Sequence, residues 1–190
     1  MIRSLKRSKK LIIIAHPDDE TFGCSGLLEN SAIILVTDSD EANFAARTRI
    51  LQRICKEKFI PLYKCGLQPC KLDTIGVQKV HNCIAAAAKN IDADIVLTHN
   101  PKDTHQDHRI VSNAVDILAR PERSKYKGLI HFSFEQHSYN LVVPSNVEMY
   151  TVYGGLADSK FQSVVWKYKE FIGAKYGFRY GDTLDIKYLR

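Results

Sequence analysis

Short runs of consecutive apolar residues alternate along the chain with longer stretches in which apolar residues recur every three or four positions. "KLIIIA" (10–15), "SAIILVT" (31–37), "FIPLYKC" (59–65), "DIVLTH" (94–99) and "GLIHFSF" (128–134) are of the first kind. The first of them is rich in β-branched residues and lacks polar alternation, the pattern of a strand buried on both faces of a parallel sheet. "FIPLYKC" is the weakest of the five, and Pro61 points to an edge position. "EMYTVY" (148–153) is the candidate for a sixth strand. The helical period runs through roughly 21–29, 41–58, 74–90, 107–119 and 158–174; in the fourth, Ile110, Val111, Ala114, Val115 and Leu118 repeat close to every 3.6 residues. Pro121 limits that helix. The segment 136–147, "QHSYNLVVPSNV", is the most loop-like.

This alternation predicts an α/β fold: a Rossmann-like, open, mostly parallel sheet of order 3-2-1-4-5 plus an extra strand, with helices on both faces. A length of 190 residues, with no repeat, low-complexity tract or linker, suits a single domain spanning 1–190. In such a sheet strands 1 and 4 are neighbours, and ligands bind beyond their carboxyl ends. "AHPDDE" ends the first strand and "THNPKDTHQDH" the fourth, so two polar clusters far apart in sequence are expected to meet at one crevice.

Composition narrows the class. A net charge of +6 suits acidic partners only weakly, since surface lysines on a basic soluble enzyme explain it equally. The run "KRSKK" (6–10) reads as a solvated arm before the first strand rather than a nucleic-acid or lipid contact. The basic start and the five-residue apolar run after it are too short for a signal peptide, and no stretch approaches a membrane span. Cysteines at 24, 55, 65, 70 and 83 are odd in number and contain no Cys-x-x-Cys pair, which disfavours a disulfide framework and fits a cytoplasmic protein. No G-x-G-x-x-G follows the first strand, and there is no Walker-type loop, so dinucleotide and nucleotide-phosphate readings fail.

The clusters carry metal chemistry. His16 and Asp19 stand three residues apart across a tight turn and can point to one side, leaving Asp18 to project differently. His105 and His108 are likewise three apart at a helix start. One His, one carboxylate and a second His from the opposite loop make a face with positions open for water and substrate, which is a catalytic arrangement. Taken singly, each cluster also reads as a polar, capped helix N-terminus.

"AHPDDETFGCSG" (15–26) together with "HQDH" (105–108) resembles the LmbE-like (PIG-L) family of metal-dependent N-deacetylases. The family includes the GlcNAc-phosphatidylinositol de-N-acetylases and the deacetylases of mycothiol and bacillithiol biosynthesis. The resemblance spans at least 11–120 and is thin beyond about 135. It implies His16, Asp19 and His108 as ligands of Zn²⁺, with Fe²⁺ as the alternative this ligand face also suits. It implies Asp18 as general base and His105 as the group that polarises the amide carbonyl or protonates the leaving amine. Asp107 is implied to orient a neighbouring imidazole, that of His105. The sequence departs from the family at Ser25, where a Gly is usual, and at "RYGDTLDI" (179–186), a loose analogue of an aromatic–acidic tail motif.

Arg47 or Arg49 is the candidate for a sugar contact, and Asp103 for a substrate or ligand contact. His99 reads as a packing or supporting residue, Glu20 as a hydrogen-bonding group within the first loop. His81, His131 and His137 lack acidic neighbours in sequence and read as structural or surface. "KYKEFIGAKYGFRYG" (167–181) reads as core and surface packing before it reads as a sugar cleft. The expected activity is hydrolysis of the acetamide of an N-acetylglucosamine-type amino sugar or its conjugate, a small-molecule substrate. The alternatives are a metal-dependent amidohydrolase acting on a non-sugar acyl amide, and a non-catalytic sugar-binding relative. Oligomeric state and the group the sugar is attached to are not legible.

Overall fold

A computed structural model describes residues 1–133, 139–146, 152–153 and 159–189. Their seven strands form one sheet of order β3-β2-β1-β4-β5-β7-β6. The parallel part comprises β3 (Leu62–Leu67), β2 (Ser31–Thr37), β1 (Lys10–Ile14), β4 (Ile95–His99) and β5 (Gly128–Ser133). β7 (Gly181–Leu189) then runs antiparallel to β5, and β6 (Leu141–Pro144) antiparallel to β7. The predicted order of the first five strands holds, and the Pro61 segment is at the edge.

Every residue of β1 and β2 is buried, as continuous aliphatic runs require. Alternate residues serve opposite faces. Ile12, Ile14, Ile33 and Leu35 pack with α2 (Asp19–Cys24), α3 (Ala42–Glu57) and α7 (Ser159–Lys175). Leu11, Ile13, Ile34 and Val36 pack with α4 (Leu72–Ile75), α5 (Val77–Ala88) and α6 (Gln106–Leu118). α2 lies so close to β5 that a Cβ at Gly23 would run into the Phe132 ring.

Several expectations meet a different outcome or fall outside the described residues. The helix expected over 74–90 is two, because Gly76 sits at φ +86, outside the helical region. The one expected over 21–29 is α2 followed by a 3-10 turn, Ser25–Leu27. The loop-like segment contains β6 at 141–144, with 136–138 and 147 outside the described residues. The sixth-strand candidate mostly lies outside them too, at 148–151, and the extra strands are β6 and β7. The basic arm is not simply solvated. Residues Ile2–Arg7 form the short helix α1, and buried Lys10 donates from Nζ to the carbonyls of Leu5 and Lys6 at 3.1 Å and Ser8 at 2.7 Å, closing its C-terminus.

Candidate active site

The crevice forms where β1 and β4 end side by side, in register from Lys10 opposite Ile95 to Ile12 opposite Leu97. Beyond the last pair the chain turns at His16 and Pro17 into α2, while β4 ends in His99 and leads to the loop before α6. The two ends are stitched together: the Ala15 amide donates to His99 Nε2 at 3.0 Å.

Three donor groups converge here. His16 Nδ1 lies 3.1 Å from His108 Nε2 and 3.7 Å from Asp19 Oδ2, and His108 Nε2 is 3.4 Å from Asp19 Oδ1. All three residues are buried, at 8, 4 and 4% exposure for His16, Asp19 and His108. Each imidazole has a carboxylate on its far nitrogen. Asp107 Oδ2 is 3.1 Å from His16 Nε2, and Asp103 Oδ2 is 3.0 Å from His108 Nδ1. Such carboxylate–imidazole pairs fix the tautomer so that the inner nitrogen offers its lone pair. With the inner nitrogens deprotonated, these donor atoms can close around one divalent cation, so the donor set fits a metal. Donor atoms of His16, His105 and His108 also lie within 4.8 Å of one another, as do those of Asp19, His99 and His108.

The two adjacent aspartates differ sharply. Burial first, then the Asp19 charge, pushes Asp18 up to about 8 against the pull of Arg47. Burial also works against a charge on Asp19, but His108 and His99 overcome it and hold that carboxyl well below the usual range. Asp19 Oδ2 accepts the His16 amide at 2.7 Å, whereas Asp18 Oδ2 accepts from Arg47 at 2.9 Å. His108 is raised to about 10, burial being outweighed by Asp19 and Asp103. His99, fully buried and stacked on His108 at 3.9 Å between ring centroids, is lowered to about 4 by burial and by its neighbour's charge.

His105 caps α6 through its ring: Nδ1 accepts the Asp107 amide at 3.1 Å. The capped-helix reading and the chemical reading therefore coexist. With Nδ1 accepting, a neutral His105 carries its proton on Nε2. Its pKa is lowered, by burial and then by the His108 and His16 charges.

Several expected contacts differ. The Asp107 carboxylate holds His16, and the Cys70 and Leu72 amides at 2.6 and 3.3 Å, rather than the His105 ring, because the first turn of α6 presents its side chain toward β1. Asp103 does not line the crevice: it is 2% exposed beneath His108 and accepts the His105 amide at 2.8 Å. Arg47, not Arg49, faces the site; two positions apart on α3 they point about 200° apart, and Arg49 is exposed. His131 pairs with Asp116 at 2.9 Å, a neighbour distant in sequence, and His137 lies outside the described residues. Asp103 is instead the carboxylate that backs His108, the ligand-contact half of what was expected of it. Sequence reasoning missed the tail's anchor. Asp182 is fully buried, ion-paired with Lys169, and accepts the Gly26 amide at 2.9 Å and the Ser25 hydroxyl at 3.3 Å. The hydroxyl at position 25, where the family has Gly, thus joins a hydrogen-bond hub; it also accepts the Asn146 amide at 3.0 Å.

A sequence profile described as GlcNAc-PI de-N-acetylase (PIG-L) matches residues 11–119, more than half of the chain. The chain belongs to this family. Its members are deacetylases, which hydrolyse an amide bond. No match was found among curated proteins. Among solved structures, N,N'-diacetylchitobiose deacetylase from Pyrococcus horikoshii, in complex with its inhibitor MPG, aligns with a TM-score of 0.65 at 17% identity, covering 96% of this chain and 85% of that one. A conserved protein from Thermus thermophilus aligns at TM-score 0.73 and 16% identity, covering 94% of both chains. The zinc-inhibited form of teicoplanin deacetylase aligns at 0.60 and 12%, covering 93% of this chain and 97% of that one. At these identities the structural likeness establishes the family's α/β architecture. No helix among the described residues is long and apolar enough to cross a membrane.

Proposed function

We propose that this de-N-acetylase family member is a metal-dependent N-deacetylase acting on the acetamide of an N-acetylglucosamine-type sugar or its conjugate. One observation carries the reading: the His16, Asp19 and His108 donor atoms converge, and buried Asp18 beside them turns its carboxylate to Arg47 rather than to the α2 amides. The sugar class is supported by the family's name and by the chitobiose deacetylase among the structural neighbours.

His16, Asp19 and His108 hold the metal, which when bound supplies Lewis acidity, acidifying a water and polarising the acetamide carbonyl. Asp18 takes the proton from the attacking water and returns it to the nitrogen as the C–N bond breaks; burial makes it a better base than an exposed carboxylate, and Arg47, 2.9 Å away, opposes that rise by favouring the ionised form. His105 donates from Nε2 to the carbonyl oxygen as negative charge develops there, worth about 3–4 kcal/mol for one well-placed donor. Asp103 and Asp107 keep the ligand imidazoles aimed. Zinc is the proposed ion and Fe²⁺ its rival; a relative described as zinc-inhibited makes the distinction worth measuring. The five free thiols support a reducing, cytoplasmic setting.

The test is metal analysis of the purified protein followed by acetate release, with Zn²⁺ and with Fe²⁺, from N-acetylglucosamine, N,N'-diacetylchitobiose and GlcNAc-phosphatidylinositol beside N-acetyl amino acids. Release from a sugar with about one equivalent of bound metal supports the reading. Turnover confined to the amino-acid amides would move the substrate class, and metal-free protein with full activity would end the mechanism.

A further inference from the structure

One buried carboxylate beside the site has no part in this chemistry. Glu20 is fully buried, and its Oε2 accepts the Asp18 amide at 3.1 Å. Its Oε1 accepts the Thr21 hydroxyl at 2.8 Å and the Tyr153 phenol at 2.9 Å. Asp18 itself has φ +117 and ψ −21. For a residue with a Cβ, such a conformation costs about 1–3 kcal/mol and persists only where its surroundings impose it.

The position makes the conformation informative. Asp18 is the N-cap of α2, and a cap aspartate ordinarily has extended backbone and turns its carboxylate back onto the first helical amides. Asp18 makes no such bond; its carboxylate faces Arg47 instead. The helix is still closed, since the Asp18 carbonyl accepts from Thr21 and Phe22 at 2.9 and 3.1 Å. In a capping box a glutamate three residues on reaches back to the cap amide. Here the glutamate two residues on does so, and the Tyr153 phenol and Thr21 hydroxyl hold its other oxygen in place.

We propose that Glu20 is a positioning residue: by gripping the Asp18 amide it holds residue 18 left-handed, so that the base points into the crevice instead of capping α2. This rests on the reading of Asp18 as the base. Without the acceptor, an extended backbone with a carboxylate-capped helix is the favoured arrangement for an aspartate at this position, and the base leaves the crevice. Asp19 does not follow it, because its carboxylate is held by the His16 amide and lies against His99 and His108, none of which involves Glu20. Loss of Glu20 therefore impairs the chemical step and spares the metal site.

Glu20→Leu and Glu20→Gln separate this role from bulk stability. Leucine removes the acceptor and retains volume. Glutamine retains one oxygen for the Asp18 amide, and its NH₂ can donate to the two hydroxyls. The readouts are bound zinc, kcat and KM for acetate release from N,N'-diacetylchitobiose, and hydrogen exchange of the Asp18 amide by NMR. The leucine variant is expected to lose protection at Asp18 and about 10²-fold in kcat, the scale of a displaced general base, with KM and zinc content unchanged. The glutamine variant is expected to keep both near wild type. A protected Asp18 amide in the leucine variant, a kcat loss that merely tracks zinc loss, or a glutamine variant as impaired as leucine would each overturn the proposal. Should leucine not fold, glutamine decides alone: protection and kcat retained support it, their loss overturns it. A wild-type protein that releases no acetate retires the amino-sugar reading instead, and the exchange measurement, which needs no substrate, still decides on Glu20.

Discussion

Residues 11–119 and the tail from β5 onward contribute to the same crevice in different ways. The first supplies every side chain assigned to metal binding or proton transfer: His16, Asp18 and Asp19 from one turn, and His105 and His108 from another. The tail supplies groups that hold those turns. Tyr153 supports Glu20, and the Lys169–Asp182 pair seizes Ser25 and Gly26 just after α2. Reactive residues are thus carried on a rigid sheet and braced from behind by buried polar groups, the division of labour that pre-organised sites require.

The sharpest way to break the contrast is at the ligands. His108→Ala should abolish both metal binding and acetate release, read by metal analysis and an acetate assay, whereas no tail substitution should do so at a temperature where the protein stays folded. Asp18→Asn should cost about 10²–10⁴-fold in kcat while bound metal stays at wild-type level. Retained activity there would remove Asp18 from the mechanism. Asp103→Ala frees the far nitrogen of His108 and should weaken metal binding about 10–100-fold, measured by competition with a chelator. In the tail, Lys169→Met removes the ammonium paired with buried Asp182. Denaturant unfolding should register a loss of about 3–5 kcal/mol, with kcat of the folded protein little changed. A large kcat defect at full stability would show that the brace does more than hold. Smallest of all, exposed Arg49→Ala should leave stability within about 0.5 kcal/mol and KM unaltered.

Legibility followed the same division. Five strands, their order, the edge position of the Pro61 segment and the meeting of two distant polar clusters were all readable. Continuous β-branched runs have few alternatives, and the switch point follows from topology. β7 was missed although Thr183, Asp185 and Lys187 alternate with Leu184, Ile186 and Tyr188, a period-two signal obscured by reading the segment as a motif. At the site, side-chain direction was harder than residue type. In the sequence Asp107 stands beside His105, and only the tertiary structure brings it to His16. Asp103 could equally cap a loop, contact substrate or support a ligand until His108 is seen beside it.

By itself the sequence determined that this is an α/β chain with two histidine–aspartate clusters at the ends of neighbouring strands. Hydrophobic periodicity and topology are local or combinatorial properties that need no coordinates. The tertiary structure decided which carboxylate backs which imidazole, which arginine faces the crevice, and that Asp18 is turned out of its default role as a helix cap. Those outcomes depend on contacts within a few ångströms between residues as far apart as Glu20 and Tyr153, and on a backbone conformation at Asp18 that only its surroundings could impose.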